Sequence, residues 1–194
     1  MIPVIKQKEP QIFNSEVRIP GQNFLKRNPK PNSKEFSKHD YWRKINPEFY
    51  QLYNGICAYT GIWFPNITSS VDHFLPKSKK PELAYEWDNY RLTTQKMNNI
   101  KGDEINLVDP FDVEFGWFVL DLDTYLIKPN GILPHSDQEK IAHTIKVLRL
   151  NCDDDRVENR RDIIQGYIDN VFDFEFLKEK YPYIAYEIER QGLL

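Results

Sequence analysis

The chain has 194 residues, 40% hydrophobic and 14% aromatic, which is enough for one modest globular domain with appended elements and a core of its own. No run approaches the roughly 20 apolar residues of a membrane span, and Met1-Ile2-Pro3-Val4-Ile5-Lys6 lacks the apolar block of a signal peptide, so a cytoplasmic protein without membrane contact is expected. The net charge of −3 argues against a constitutive nucleic-acid coat, but residues 1–44 hold ten Lys/Arg against four Asp/Glu, a balance of +6, leaving −9 on the other 150.

In chain order, residues 1–32 are punctuated by Pro3, Pro10, Pro20, Pro29 and Pro31, which predicts an extended basic arm with at most a short strand near residues 12–19. Ser33 is the expected N-cap of a helix carrying Phe36, Tyr41 and Ile45 up to Pro47, and a second helical stretch should run from Pro47 to Asn54, ended by Gly55. A ribbon over residues 56–64 with a turn at Thr60-Gly61 comes next. A strand is expected at 70–74, a loop at 76–87, a short strand at 90–92, and a helix from Thr93 or Thr94 to Ile100, stopped by Gly102. Residues 117–122 and 124–128 read as a hairpin followed by a turn at Pro129-Asn130-Gly131. Ser136-x-x-Glu139 reads as a capping box ahead of Ile141, Ile145 and Leu148. A helix should begin within Asp153 to Asp155, and the last, over residues 174–189, should break at Pro182.

The chemistry concentrates between Val71 and Lys101. Asp72 stands beside His73, Asn89 follows 16 residues after the histidine, and Asn98 comes 9 residues after that. Hydrolysis of a phosphodiester needs a base to take a proton from water and a hard cation to neutralise charge on the phosphate. His73, with a near-neutral ordinary pKa, suits the first task. Asp72 and Asn98 offer oxygen ligands for the second, although Asp72 could instead only orient His73, and Asn99 could exchange roles with Asn98. Neighbouring strand residues point to opposite faces, so Asp72 and His73 can serve one centre only where the strand ends or twists.

The string Val71-Asp72-His73-Phe74-Leu75-Pro76-Lys77-Ser78, then Trp87-Asp88-Asn89 ahead of Leu92, then Asn98-Asn99-x-Lys101, resembles the HNH endonucleases of the ββα-metal class, in the variant whose last histidine is asparagine. The resemblance covers about residues 56–109, and with the exit Leu107-Val108-Asp109-Pro110 it is more similar to the HNH subunit of Septu and related retron anti-phage systems. It implies an α+β fold: a ββα-metal HNH core embedded in a mainly helical domain, with an extended basic N-terminal arm. It divides the chain into residues 1–54, the arm and helices; 55–110, the nuclease core; and 111–194, the hairpin and C-terminal helices.

The resemblance further implies that His73 is the general base, that Asp72 and Asn98 hold Mg²⁺, with Mn²⁺ able to substitute, and that Asn89 braces the loop and the histidine. DNA is the implied substrate, and an ATPase subunit with an SMC- or ABC-like head the implied partner. The residues leave open double-stranded DNA, single-stranded DNA or RNA, as well as a non-catalytic adaptor that has kept the scaffold.

Lys101, one turn beyond Asn98, could reach a phosphate or the leaving group, or be a solvated lysine at a helix end. Lys77, Lys79, Lys80 and Arg91 could grip the scissile strand, though such runs are usually just exposed. Many HNH proteins also carry two C-x-x-C pairs for a structural zinc. Here the corresponding positions read Cys57-x-x-Thr60 and Thr94-x-x-Met97, so no structural zinc is expected, and Ile56, Tyr59, Trp63, Phe64, Trp87 and Tyr90 are the expected packing substitutes. His39, His135, His143 and the Asp153–Asp155 run are assigned no chemistry.

Overall fold

A computed structural model describes residues 1–152 and 154–193. The fold is α+β, with helices and, among the described residues, two separate two-stranded antiparallel sheets. The chain divides into two compact units: Lys6–Gly55 with Phe64–Ile105, and Met1–Ile5 with Ile56–Trp63 and the chain from Asn106 onward. Among the described residues no helix is long and apolar enough to cross a membrane.

In the first unit the segment expected to be an extended arm is helical. Helix α1 (Gln11–Phe13), a π-helical stretch (Asn14–Arg18) and α2 (Ile19–Arg27) follow one another directly. The physical reason lies at Pro20, which has no N–H and whose ring would crowd a regular helical turn. The turn before it is widened, so that the Ile19 N–H donates to the Asn14 carbonyl five residues back, and the proline is accommodated there. Phe13, Val17, Gly21 and Phe24 fall on one buried stripe at helical spacing. Glycine is required at position 21, since a Cβ there would lie 2.0 Å from Tyr85 Cγ.

Four of the ten cationic residues of the basic segment are answered within this unit. Lys6 pairs with Asp88 at 2.6 Å, Lys44 with Glu16 at 2.7 Å and Arg43 with Asp40 at 2.8 Å, while Arg18 bridges Glu9 and Glu86. Asn32, rather than Ser33, caps α3 (Ser33–Lys38). Its Oδ1 accepts from the Lys34 and Glu35 N–H groups, and the Glu35 carboxylate accepts the Asn32 N–H in return. A 3₁₀ turn (Tyr41–Ile45) leads into α4 (Asn46–Leu52).

Strands β1 (Ser69–His73) and β2 (Tyr90–Thr94) pair antiparallel, placing Val71 opposite Leu92, Asp72 opposite Arg91 and His73 opposite Tyr90. Helix α5 (Gln95–Lys101) follows β2 at once: Thr94 Oγ1 accepts the Met97 N–H, and Gly102, at φ +55°, ends it. Edge-to-face rings knit the helical half of the unit to this hairpin, with Phe13 and Phe49 against Trp87 at 5.3 and 5.1 Å and Phe13 against Tyr90 at 5.8 Å. Such pairs add about 0.5–1.5 kcal/mol each beyond the area they bury.

In the second unit the ribbon expected over residues 56–64 is reduced to a single bridge between Ile56 and Trp63. Of the aromatic residues named from sequence as packing substitutes, Tyr59, Phe64, Trp87 and Tyr90 are buried, whereas Trp63 is 37% exposed. Strands β3 (Phe118–Leu120) and β4 (Ile127–Pro129) form the expected hairpin. Helix α6 (His135–Val147) has Pro134 at its N-cap with no side-chain cap, so the capping box at Ser136 does not form. Helices α7 (Asp154–Ile168), α8 (Phe174–Lys180) and α9 (Pro182–Arg190) complete it. Asp153, at the expected start of α7, lies outside the described residues.

Candidate active site

Asp72 and His73 occupy the last two positions of β1. Because the strand ends there, both line one open cleft of about 490 Å³, together with Lys77, Asn98, Asn99 and Asp103. Both are almost fully buried, at 2% and 5% exposure.

The loop from residue 74 to 89 is shaped by Asn89. Its Oδ1 accepts the Leu75 N–H at 2.8 Å, and its Nδ2 donates to the Leu75 carbonyl at 3.0 Å and the Leu83 carbonyl at 3.1 Å. One amide therefore clamps both ends of the loop. This holds the Ala84 carbonyl 2.9 Å from His73 Nε2, where it also accepts from the Tyr90 hydroxyl at 2.8 Å. A carbonyl oxygen can only accept, so Nε2 carries the hydrogen and Nδ1 keeps the lone pair in the neutral ring. The ring packs edge-to-face on Trp42 at 4.7 Å and Tyr90 at 5.2 Å. Burial first, then the Lys77 ammonium, pushes its pKa down to about 3 against the opposing hydrogen bond to Ala84. The imidazole is thus neutral at pH 7.

Helix α5 brings Asn98 across β1. Its Nδ2 donates to Ser70 Oγ at 2.9 Å and the Val71 carbonyl at 3.2 Å, and the carbonyl fixes which end of the amide is the donor. Asn99 stands on the exposed side, with its Oδ1 accepting from Gln95 one turn earlier. Oxygen donors from one carboxylate and one tethered amide fit a hard divalent cation that keeps several waters or phosphate oxygens in its shell. Among the described residues no group of three or more His, Cys, Asp or Glu is placed to hold a metal.

Two nominated residues lie elsewhere than expected. Lys101 is buried, donating to the His73 carbonyl at 3.0 Å and lying 3.3 Å from Asp72 Oδ1. It stands behind the two site residues rather than at a phosphate. Arg91 is 3% exposed and donates to the Asp88 and Tyr90 carbonyls, with its guanidinium over the Phe74 ring, so it offers no surface for nucleic acid. Lys79 and Lys80 are exposed on the loop, whereas Lys77 is half-buried at the mouth of the cleft, over the Trp42 ring.

Sequence reasoning passed over several site groups. Ser70 tethers Asn98 from two residues before Asp72, on the same strand face. The Ala84 carbonyl and Trp42 fix the histidine, and no local motif announces either. Asn32, Ser33 and Phe36 form another wall of the cleft, and the exposed Lys26, Arg27, Lys30, Lys34 and Lys38 lie in that α2–α3 stretch. A second cleft of about 380 Å³ shares Lys77 and Asn98 with the first, and Asn46, which lines it, has a buried Oδ1 without a hydrogen-bond partner.

No protein-family model matches this chain, and no curated protein matches it either.

Proposed function

We propose that the chain is a Mg²⁺-dependent endonuclease of the HNH, ββα-metal kind that hydrolyses DNA phosphodiester bonds, with His73 as general base. The observation that carries this reading is the state of His73: a neutral imidazole, anchored through Nε2 to the Ala84 carbonyl, in the same cleft as Asp72 and Asn98. Mg²⁺, or Mn²⁺ in its place, held by Asp72 and the Asn98 amide oxygen, would supply Lewis-acid neutralisation of charge on the phosphate and the leaving 3′ oxygen.

Nδ1 of His73 takes the proton from the attacking water, and the Ala84 carbonyl holds the ring in the tautomer that can do so. A base held down to about 3 is weak, but part of that depression comes from Lys77, whose charge an arriving phosphate would offset. Substrate entry would in this way strengthen the base when it is needed. Asn89 positions the histidine through the loop, and Lys101 holds Asp72 and the His73 backbone together from behind. The exposed Lys79 and Lys80, and the basic α2–α3 stretch along the cleft, are the proposed phosphate contacts.

The resemblance to the Septu-type HNH subunit extends the reading to the effector of an anti-phage complex, restrained by an ATPase subunit. Co-expression with such a subunit should yield a stable complex whose cleavage responds to nucleotide.

One observation favours a second reading, a non-catalytic nucleic-acid-binding or adaptor module. The Lys101 ammonium already answers the Asp72 carboxylate, which a divalent cation would have to share. Plasmid cleavage in Mg²⁺ against EDTA, with His73→Ala alongside, separates the two. Nicking or linearisation that needs Mg²⁺ and His73 supports the nuclease. Retained DNA binding without cleavage supports the adaptor.

A further inference from the structure

The unit containing the C-terminal helices holds a cavity of about 240 Å³ that the proposed chemistry does not use. Ile62, Ile127, Leu150 and Ile184 line it, and α7 presents Arg156 and Arg160 to it. Arg160 is 4% exposed. Its Nε donates to the Tyr125 carbonyl at 2.7 Å, one Nη to the Leu150 carbonyl at 2.8 Å and the other to Asn151 Oδ1 at 3.1 Å. All three acceptors are neutral, and a guanidinium has five N–H groups, so two donors and the whole charge remain to be answered. Among the described residues no carboxylate is paired with it, and burial, with the neighbouring Arg156 charge, pushes its pKa down to about 10. A buried charge normally has a partner, and here an open cavity lies beside it.

We propose that this cavity binds a small carboxylate with an apolar body, the carboxylate on Arg160 and the body against Ile62, Ile127, Leu150 and Ile184. Two oxygens match the two remaining N–H groups, and one negative charge balances one buried guanidinium. The exposed Asp155 on the rim disfavours a dianion such as a phosphate monoester. The cavity surface is more apolar than polar, which suits an apolar body better than a sugar with its many hydroxyls.

The test uses the full chain and benzoate as probe, followed by saturation-transfer NMR and the thermal unfolding midpoint, with benzamide and phenyl phosphate as comparators. Benzoate should bind at least about tenfold more tightly than benzamide and raise the midpoint with concentration. Arg160→Met should abolish binding, but it also removes three structural hydrogen bonds. Asn159→Trp therefore provides the independent check: Asn159 is an exposed residue lining the cavity, and its replacement fills the mouth while leaving Arg160 in place. It should unfold at the ligand-free wild-type temperature and show no benzoate signal. Equal binding of benzoate and benzamide, tighter binding of phenyl phosphate, no midpoint rise with benzoate, or wild-type benzoate binding by Asn159→Trp would each overturn the proposal.

Discussion

Lys101 Nζ lies 3.3 Å from Asp72 Oδ1 while the two side chains are 0% and 3% exposed, so the candidate metal ligand is held by a buried ammonium from the helix beneath it. Removing one partner of such a pair leaves an uncompensated buried charge. Lys101→Met should therefore cost about 3–5 kcal/mol in urea unfolding, and the double variant with Asp72→Asn should recover part of the loss. If Lys101→Met unfolds at the wild-type urea concentration, the pair contributes nothing and this account of the site floor fails.

His73→Ala should lower Mg²⁺-dependent cleavage by roughly 10²-fold or more. The fold should persist, because the Ala84 carbonyl keeps its hydrogen bond from the Tyr90 hydroxyl. Wild-type cleavage by a folded His73→Ala protein would remove His73 from the mechanism.

The depressed histidine also makes a prediction about pH in metal-free protein. Its pKa is 6.5 as an ordinary value and about 3 when folded. Above 6.5 both states are neutral and stability is complete. As pH falls from 6.5 toward 3, the unfolded chain takes up a proton that the folded one refuses, so stability is lost at up to roughly 1.4 kcal/mol per pH unit. Urea unfolding in EDTA at pH 7, 6 and 5 should show this slope in wild type and a shallower one in His73→Asn. Parallel slopes would mean that the histidine titrates normally.

Asn89→Ala should release the loop, because it removes three hydrogen bonds to Leu75 and Leu83 at once. Hydrogen exchange at the Leu75 amide should accelerate by at least about tenfold, and stability should fall by about 1–3 kcal/mol. Unchanged exchange would show that the loop holds its shape without the clamp.

For the metal, Mn²⁺ binding followed by electron paramagnetic resonance should weaken in both Asp72→Ala and Asn98→Ala. Purified protein should carry no stoichiometric zinc. Zinc near one per chain, lost in Cys57→Ala, would reverse the reading of the degenerate cysteine positions.

Much of the β1-to-α5 stretch was legible in the sequence, because its signals are local. Thr94 caps a helix that Gly102 ends, and Asp72 and His73 fall where the chain must leave its strand before Pro76. The position of Asn98 over β1 follows from the same short-range geometry, one turn inside a helix that starts directly from the neighbouring strand. The bracing role of Asn89 comes from the family resemblance and from the capacity of one amide to lock two backbone groups at once.

What the sequence could not decide was burial and pairing. Five prolines before residue 32 read as breaks. A helix survives at Pro20 only because the preceding turn widens and because Phe13, Val17, Gly21 and Phe24 find a surface to pack on. Lys101 and Arg91 have the composition of solvated cations. Only the tertiary structure turns one onto the Asp72 carboxylate and the other onto backbone carbonyls, because a long flexible side chain takes its direction from whatever partner the fold brings within reach. The same holds for His73: residue type makes it a candidate base, but the Ala84 carbonyl, eleven residues away and carrying no side-chain signature, selects which nitrogen is left to act as one.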